Sequence, residues 1–134
     1  MINMEESNIY PDLIVTLEET FPFREAGLID EIIIHTLNGG YDTVIAAKIE
    51  SGSLWQESSE GNFARIDSGD IPRLYKEKSL IALQGLCCVT HPECLRQETL
   101  IGKKVGLFEV NSPLASFEVR SDHDRKIAHQ LLKK

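Results

Sequence analysis

The side chains able to do chemistry fall into a few short clusters. Residues 17–24, Leu-Glu-Glu-Thr-Phe-Pro-Phe-Arg, combine two carboxylates, a hydroxyl, a rigid proline turn and a guanidinium. Glu18 and Thr20 suit hydrogen bonding to a ligand, with Arg24 pairing an anion or a neighbouring carboxylate. The same residues also suit a plain connection in which Thr20 caps a helix and Arg24 makes an exposed ion pair. Arg73, Lys76 and Lys78 gather around Tyr75. Such a basic patch can hold phosphate or a sugar carboxylate by charge-assisted hydrogen bonds, or can be no more than solvated loop charge. Glu118 could meet a divalent cation, since Mg²⁺ usually takes one or two carboxylates together with substrate phosphates. Asp122 and Asp124 are explained by capping, because a helix N-terminus favours negative charge.

Cys87, Cys88, His91 and Cys94 suggest a zinc site at first sight. Adjacent residues on a strand point to opposite faces, so Cys87 and Cys88 do not readily ligate one ion and read as buried free thiols. His91 and Cys94 lack a partner acid at a diagnostic spacing for a Cys-His nucleophile. Leu37-Asn38-Gly39-Gly40 closes a helix instead of opening one and is no phosphate loop.

These residues need elements to hold them. Residues 12–17 form a short, nearly continuous apolar run, the signature of a strand covered on both faces. Leu28, Ile29, Ile32, Ile33 and Leu37 recur at three and four residues, predicting a helix stopped by Asn38-Gly39-Gly40. Residues 42–47 give a second buried strand and complete a β-α-β unit. Residues 51–78 turn polar, with Trp55 and Phe63 as isolated aromatics, and predict an excursion with a hairpin around Glu60-Gly61-Asn62. The apolar pattern resumes over 80–90, Pro92 opens a short helix, and strands are expected at 105–110 and 117–119. Ser121 or Asp122 caps a final helix with Ile127, Ala128, Leu131 and Leu132 on one face. The sum is an α/β three-layer (α/β/α) domain with a mostly parallel sheet, in which ligands sit beyond the carboxyl ends of the strands. Residues 18–24, the end of the strand near residue 80 and residues 118–121 are therefore the places for a site.

Composition narrows the partners. The 134 residues suit a single domain, and 14 basic against 21 acidic side chains leave a net charge of −7, which disfavours a nucleic-acid ligand. With 42% hydrophobic and 26% charged residues, the usage is that of an ordinary globular protein. The apolar run at 28–37 is interrupted by Asp30, Glu31 and His35 and cannot span a bilayer. Three cysteines without a disulfide framework, and an N-terminus without a secretion signal, fit a cytoplasmic protein.

The order of the segments is more specific than any one of them. Residues 11–24, Pro-Asp-Leu-Ile-Val-Thr-Leu-Glu-Glu-Thr-Phe-Pro-Phe-Arg, resemble the acylneuraminate cytidylyltransferases, whose pattern is an aspartate, an apolar strand and then Leu-Gln-Pro-Thr-Ser-Pro-Leu-Arg. Leu28-Ile29-Asp30, the strand at 40–45, Gln84-Gly85-Leu86-Cys87-Cys88-Val89 and residues 117–132 are similar to the same family, in its order. The resemblance implies a nucleotide-diphospho-sugar transferase-like fold, and the joining of a cytidine nucleotide to an acidic sugar with release of pyrophosphate and help from Mg²⁺. It would place Glu18, Thr20 and Arg24 beside the sugar, with Glu18 at the usual glutamine. Arg73, Lys76 and Lys78 would face the sugar carboxylate or phosphates, Gln84 would replace a ligand-facing asparagine, and Glu118 would be the catalytic, metal-holding carboxylate. The family's Asp-Ile-Asp is here Glu118-Val119-Arg120, which puts a cation at the second carboxylate. The family's glycine- and serine-rich nucleotide loop has no counterpart before Asp12, so the isolated chain is expected to give no pyrophosphate release. The alternatives are a non-catalytic interaction module, homodimeric through the 51–78 excursion, and a plain sugar-binding domain.

Overall fold

The computed structural model describes residues 6–66 and 79–133. The central strand is β2 (Thr43–Glu50), whose residues from Thr43 to Ala47 are all buried. Around it lie β1 (Ile14–Thr16), β5 (Ser79–Ala82), β6 (Cys88–Thr90) and β7 (Val105–Glu109), while β3 (Trp55–Glu57) and β4 (Phe63–Arg65) form a separate two-stranded hairpin. The helices are α1 (Leu28–Gly39), the short α2 (Pro92–Arg96) and α3 (Asp122–Leu132).

The α/β class holds, but the sheet is mixed and not mostly parallel. Of the pairings around β1 and β2, β1 with β6, β2 with β6 and β2 with β5 are antiparallel, and only β2 with β7 is parallel. The cause lies in the excursion. Glu50 pairs with Ser79, so the next strand of this sheet, β5, runs back along β2 in the antiparallel sense. Since β1 and β2 both run against β6, which lies between them, β1, β2 and β7 share one direction. Their carboxyl ends therefore face the same side.

The strand expected over residues 80–90 is broken. Ala82 pairs with Ala47 and Cys88 with Ile45, so residues 83–87 lie opposite Ala46 alone. Ala46 ties both ends of this bulge: its carbonyl accepts from Leu83 N at 2.7 Å and its N–H donates to Cys87 O at 2.9 Å.

Helix α1 ends where the glycines stop it. Gly40 is left-handed at φ 63, and its N–H reaches the carbonyls of Leu37 and Thr36. The buried line of α1 is Leu28, Ile32 and Thr36, while Leu37, expected inside, is 59% exposed. Spacings of four select Thr36, whose hydroxyl bonds back to Ile32 O at 2.7 Å and so can be buried. Phe21, Leu28, Ile32, Val44, Leu86 and Val89 form the centre of the core. Residues 117–119 form no strand; Val119 N donates to Thr20 O at 2.8 Å. Ser121 caps α3 by accepting from Asp124 N, as its residue type predicts. Of the expected apolar face of α3, Ala128 is buried, whereas Ile127 and Leu132 are exposed. No helix among the described residues is long and apolar enough to cross a membrane.

Candidate functional site

The loop after β1 is held by its arginine. Arg24 Nε donates to Leu86 O at 2.7 Å, and Nη2 donates to Glu18 O at 2.9 Å and Gly85 O at 3.1 Å. Glu18 N adds a 2.7 Å bond to Gly85 O. Arg24 is thus a clamp between the β1 loop and the bulge, with its bonds on backbone carbonyls and not on a carboxylate. Thr20 does not cap α1, whose N-cap is Gly27. The Glu18 carboxylate lies over Gly85, where a Cβ would stand 2.5 Å from Glu18 Oε2, so only glycine leaves it that place. Gln84, beside it, is exposed.

Below Arg24 lie the thiols. Cys87 and Cys88 are fully buried and free. Burial pushes the Cys87 thiol up to about 11, helped by Cys88 and opposed by the Arg24 guanidinium. Burial also raises Cys88. Both are poor nucleophiles at neutral pH, as the buried-thiol reading requires.

Thr20 and Glu118 meet across the turn. Glu118 Oε2 accepts from Thr20 Oγ1 at 3.4 Å, and Oε1 accepts from Arg120 Nε at 2.6 Å. The two segments are fastened by the bond from Val119 to Thr20 and by Phe23 against Phe117, ring centroids 6.3 Å apart. The Glu118 side chain is 19% exposed and that of Arg120 is 77% exposed.

Glu118 and Arg120 line a cleft of about 670 Å³ that runs along the carboxyl ends of β2 and β7. Lys48 and Ile49 of β2, Ile81 of β5 and Glu109 of β7 line it together with Val110, Asn111, Ser112, Ser116 and Phe117 from the chain after β7. Lys48 makes no ion pair among the described residues. A mouth with two cations, two carboxylates, amide and hydroxyl groups and apolar walls can receive a polar ligand of modest size. Thr20 lines a smaller neighbouring hollow of about 370 Å³ with Glu19, Pro22, Val119, Arg125 and His129.

The predicted site residues are therefore divided. Glu118 lines the cleft, Thr20 touches Glu118 from the adjacent hollow, and Glu18, Arg24 and Gln84 gather at the bulge outside the cleft. Arg73, Lys76 and Lys78 lie outside the described residues. Lys48, Glu109, Asn111, Ser112 and Ser116 were not singled out from the sequence. Asn111 and Ser112 follow directly on a strand, the same signal that pointed to residues 18–24, and Lys48 comes just after the buried apolar run of β2.

Comparison with solved structures shows which fold carries this cleft. The chain superposes on 4-diphosphocytidyl-2C-methyl-D-erythritol synthase from Anaerococcus prevotii DSM 20548 with a TM-score of 0.58 at 12% identity. The fold is nucleotide-sugar transferase-like. The match covers 98% of this chain and 65% of that enzyme's chain, so the present sequence spans a little under two-thirds of its length. No family model and no curated protein matches the sequence.

A divalent cation at Glu118 does not fit the side chains present. Both carboxylate oxygens already accept hydrogen bonds, and Arg120, which has no lone pair to offer, occupies the one at close range. Among the described residues no three His, Cys, Asp or Glu side chains are grouped to hold a metal ion.

Proposed function

We propose that this chain is a cytidylyltransferase-like protein that handles a cytidine nucleotide and an acidic sugar, in the manner of the acylneuraminate cytidylyltransferases it resembles. The observation that carries the reading is the cleft at the shared carboxyl ends of β2 and β7, lined by Lys48, Glu118 and Arg120, on a fold shared with an enzyme whose name contains a cytidyl group. In this reading Lys48 and Arg120 neutralise phosphate or sugar-carboxylate charge. Asn111, Ser112 and Ser116 bond the hydroxyls, and Thr20 keeps the Glu118 carboxylate in place. Catalysis by such a site is mainly positioning: the attacking hydroxyl is held in line with the α-phosphate while cations stabilise the charge that develops.

Because Glu118 is the lone carboxylate of the Glu118-Val119-Arg120 run and is itself paired, the isolated chain binds its ligands and does not complete the transfer. Calorimetry with CTP and CMP tests the binding, and a pyrophosphate-release assay with CTP, Mg²⁺ and an acidic sugar tests the turnover. Saturable CTP binding without release supports the reading. Release above the buffer control, lost in Glu118→Ala, identifies a complete enzyme instead, and absence of binding by either nucleotide refutes the nucleotide assignment.

A second reading has its own observation. The β3–β4 hairpin presents Trp55 at 55% and Phe63 at 66% exposure, together with exposed Ile66. We propose that it is the contact of a homodimer, since aromatic side chains are favoured at such surfaces. Light scattering on the wild type and on Trp55→Ala/Phe63→Ala decides it: the dimer is expected to dissociate in the double variant, and a wild-type monomer at high concentration refutes it.

A further inference from the structure

We propose that Arg120 is the built-in cation of this site: its guanidinium neutralises Glu118 from within the chain, and the cleft takes a phosphate-bearing ligand by direct guanidinium contact without a divalent metal ion. The proposal rests on the reading above only for the ligand's being a nucleotide.

Geometry carries it. Arg120 commits a single side-chain nitrogen, Nε, to Glu118 at 2.6 Å. Its two terminal nitrogens have no hydrogen-bond partner among the described residues, and the side chain is 77% exposed at the cleft wall. That leaves one edge of the guanidinium, a pair of parallel N–H donors, for a second oxyanion, which is the bidentate geometry by which arginine holds phosphate. The backbone of Arg120 is fixed as well: its N–H donates to Asp124 Oδ2 at 3.1 Å, just before the capped start of α3. Lys48 lines the same cleft with no ion-pair partner among the described residues, and its charge is set against that of Glu109 on the neighbouring strand, so Arg120 is the cation whose free N–H edge decides anion binding there.

The same contacts work against a metal at Glu118, chiefly through the positive charge of Arg120 beside it. One oxygen is held by Arg120 and the other by Thr20, whose backbone carbonyl is tied to Val119. A Mg²⁺ ion demands near-octahedral oxygen ligands at short range and would have to displace a guanidinium that repels it. A Glu–Arg pair is electrically neutral as it stands. Two carboxylates at the same positions would need an added cation to reach that state.

Two measurements test the proposal on the full chain. In the first, Mn²⁺ is titrated against the wild type and Glu118→Gln and free Mn²⁺ is followed by electron paramagnetic resonance. In the second, inorganic pyrophosphate is titrated by calorimetry in excess EDTA against the wild type, Arg120→Gln and Arg120→Lys. The expected result is no stoichiometric Mn²⁺ uptake and metal-free pyrophosphate binding, weakened about tenfold or more in Arg120→Gln and less in Arg120→Lys. One Mn²⁺ per wild-type chain that is lost in Glu118→Gln overturns the proposal. So does pyrophosphate that fails to bind in EDTA, or that binds Arg120→Gln as well as the wild type. Circular dichroism confirms that the variants are folded, and the exposure of Arg120 makes that the expected outcome. If pyrophosphate binds through Arg120 while CTP and CMP do not bind, the nucleotide reading fails and this proposal stands.

Discussion

Replacing Arg24 with Ala removes the clamp between the β1 loop and the bulge, and its cost can be worked from the bonds. Leu86 O, on a fully buried residue, loses a 2.7 Å charge-assisted bond; Gly85 O keeps the Glu18 N–H, and Glu18 O is exposed to water. An orphaned buried carbonyl costs about 1–3 kcal/mol, and the two remaining bonds, being shared or exposed, add about 1 kcal/mol more. The total is about 2–4 kcal/mol. With a urea m-value of about 1.5–2 kcal/mol/M for a chain of this size, the midpoint falls by roughly 1–3 M. Urea denaturation followed by circular dichroism measures it, with an unchanged m-value showing that the native and denatured states keep their compactness. Arg24→Lys keeps the charge but cannot reach three carbonyls at once, so it recovers less than half of the loss. An unfolding free energy for Arg24→Ala within about 0.5 kcal/mol of wild type refutes the clamp, and so does full recovery by Lys.

Three further outcomes follow from the same contacts. The raised Cys87 thiol favours the protonated native state, so its contribution is full below pH 9.0, the ordinary thiol value, and is lost as pH rises through about 11; at about 1.4 kcal/mol per unit, the wild type loses about 2–3 kcal/mol more than Cys87→Ala across that window in denaturation experiments at stepped pH. Ile32→Ala opens a cavity beneath α1 where the side chain is wholly buried and costs about 2–5 kcal/mol in thermal or urea unfolding. Ser121→Ala leaves Asp124 N without its cap and costs about 1 kcal/mol, with amide exchange rising first at the start of α3.

Elements governed by neighbouring residues were readable in the sequence. Asn38-Gly39-Gly40 marked the end of α1, Glu60-Gly61-Asn62 the β3–β4 turn and Ser121 the start of α3, because turn and cap chemistry is local. Strand direction was not readable. An apolar run has the same pattern in a parallel and in an antiparallel sheet, and only the meeting of Glu50 with Ser79 shows that β5 runs back along β2. The break at 83–87 was concealed for a similar reason: Leu83, Leu86 and Cys87 are as apolar as a continuous strand would be. Glu118 drew attention as a carboxylate expected at the end of a short strand; no strand forms there, and the residue lines the cleft. Lys48 did not, because a charge near the end of a strand becomes informative only when that end opens on a cleft. Arg24 was noticed for its charge, but its carbonyl partners at Gly85 and Leu86 lie some sixty residues away and carry no sequence mark.

The bulge has a consequence for how such a chain can vary. Both of its ends are fastened to the same residue, Ala46, while Ala82 and Cys88 keep their own partners on either side. A residue can therefore be added beside the exposed Gln84 without re-registering β5 or β6, whereas Gly85 and Leu86, held by Arg24 and by the core, stay as they are. Variation in the bulge is thereby channelled to Gln84: its reach can be retuned over generations, or by an engineer, while the clamp and the sheet that bear it stay as they are.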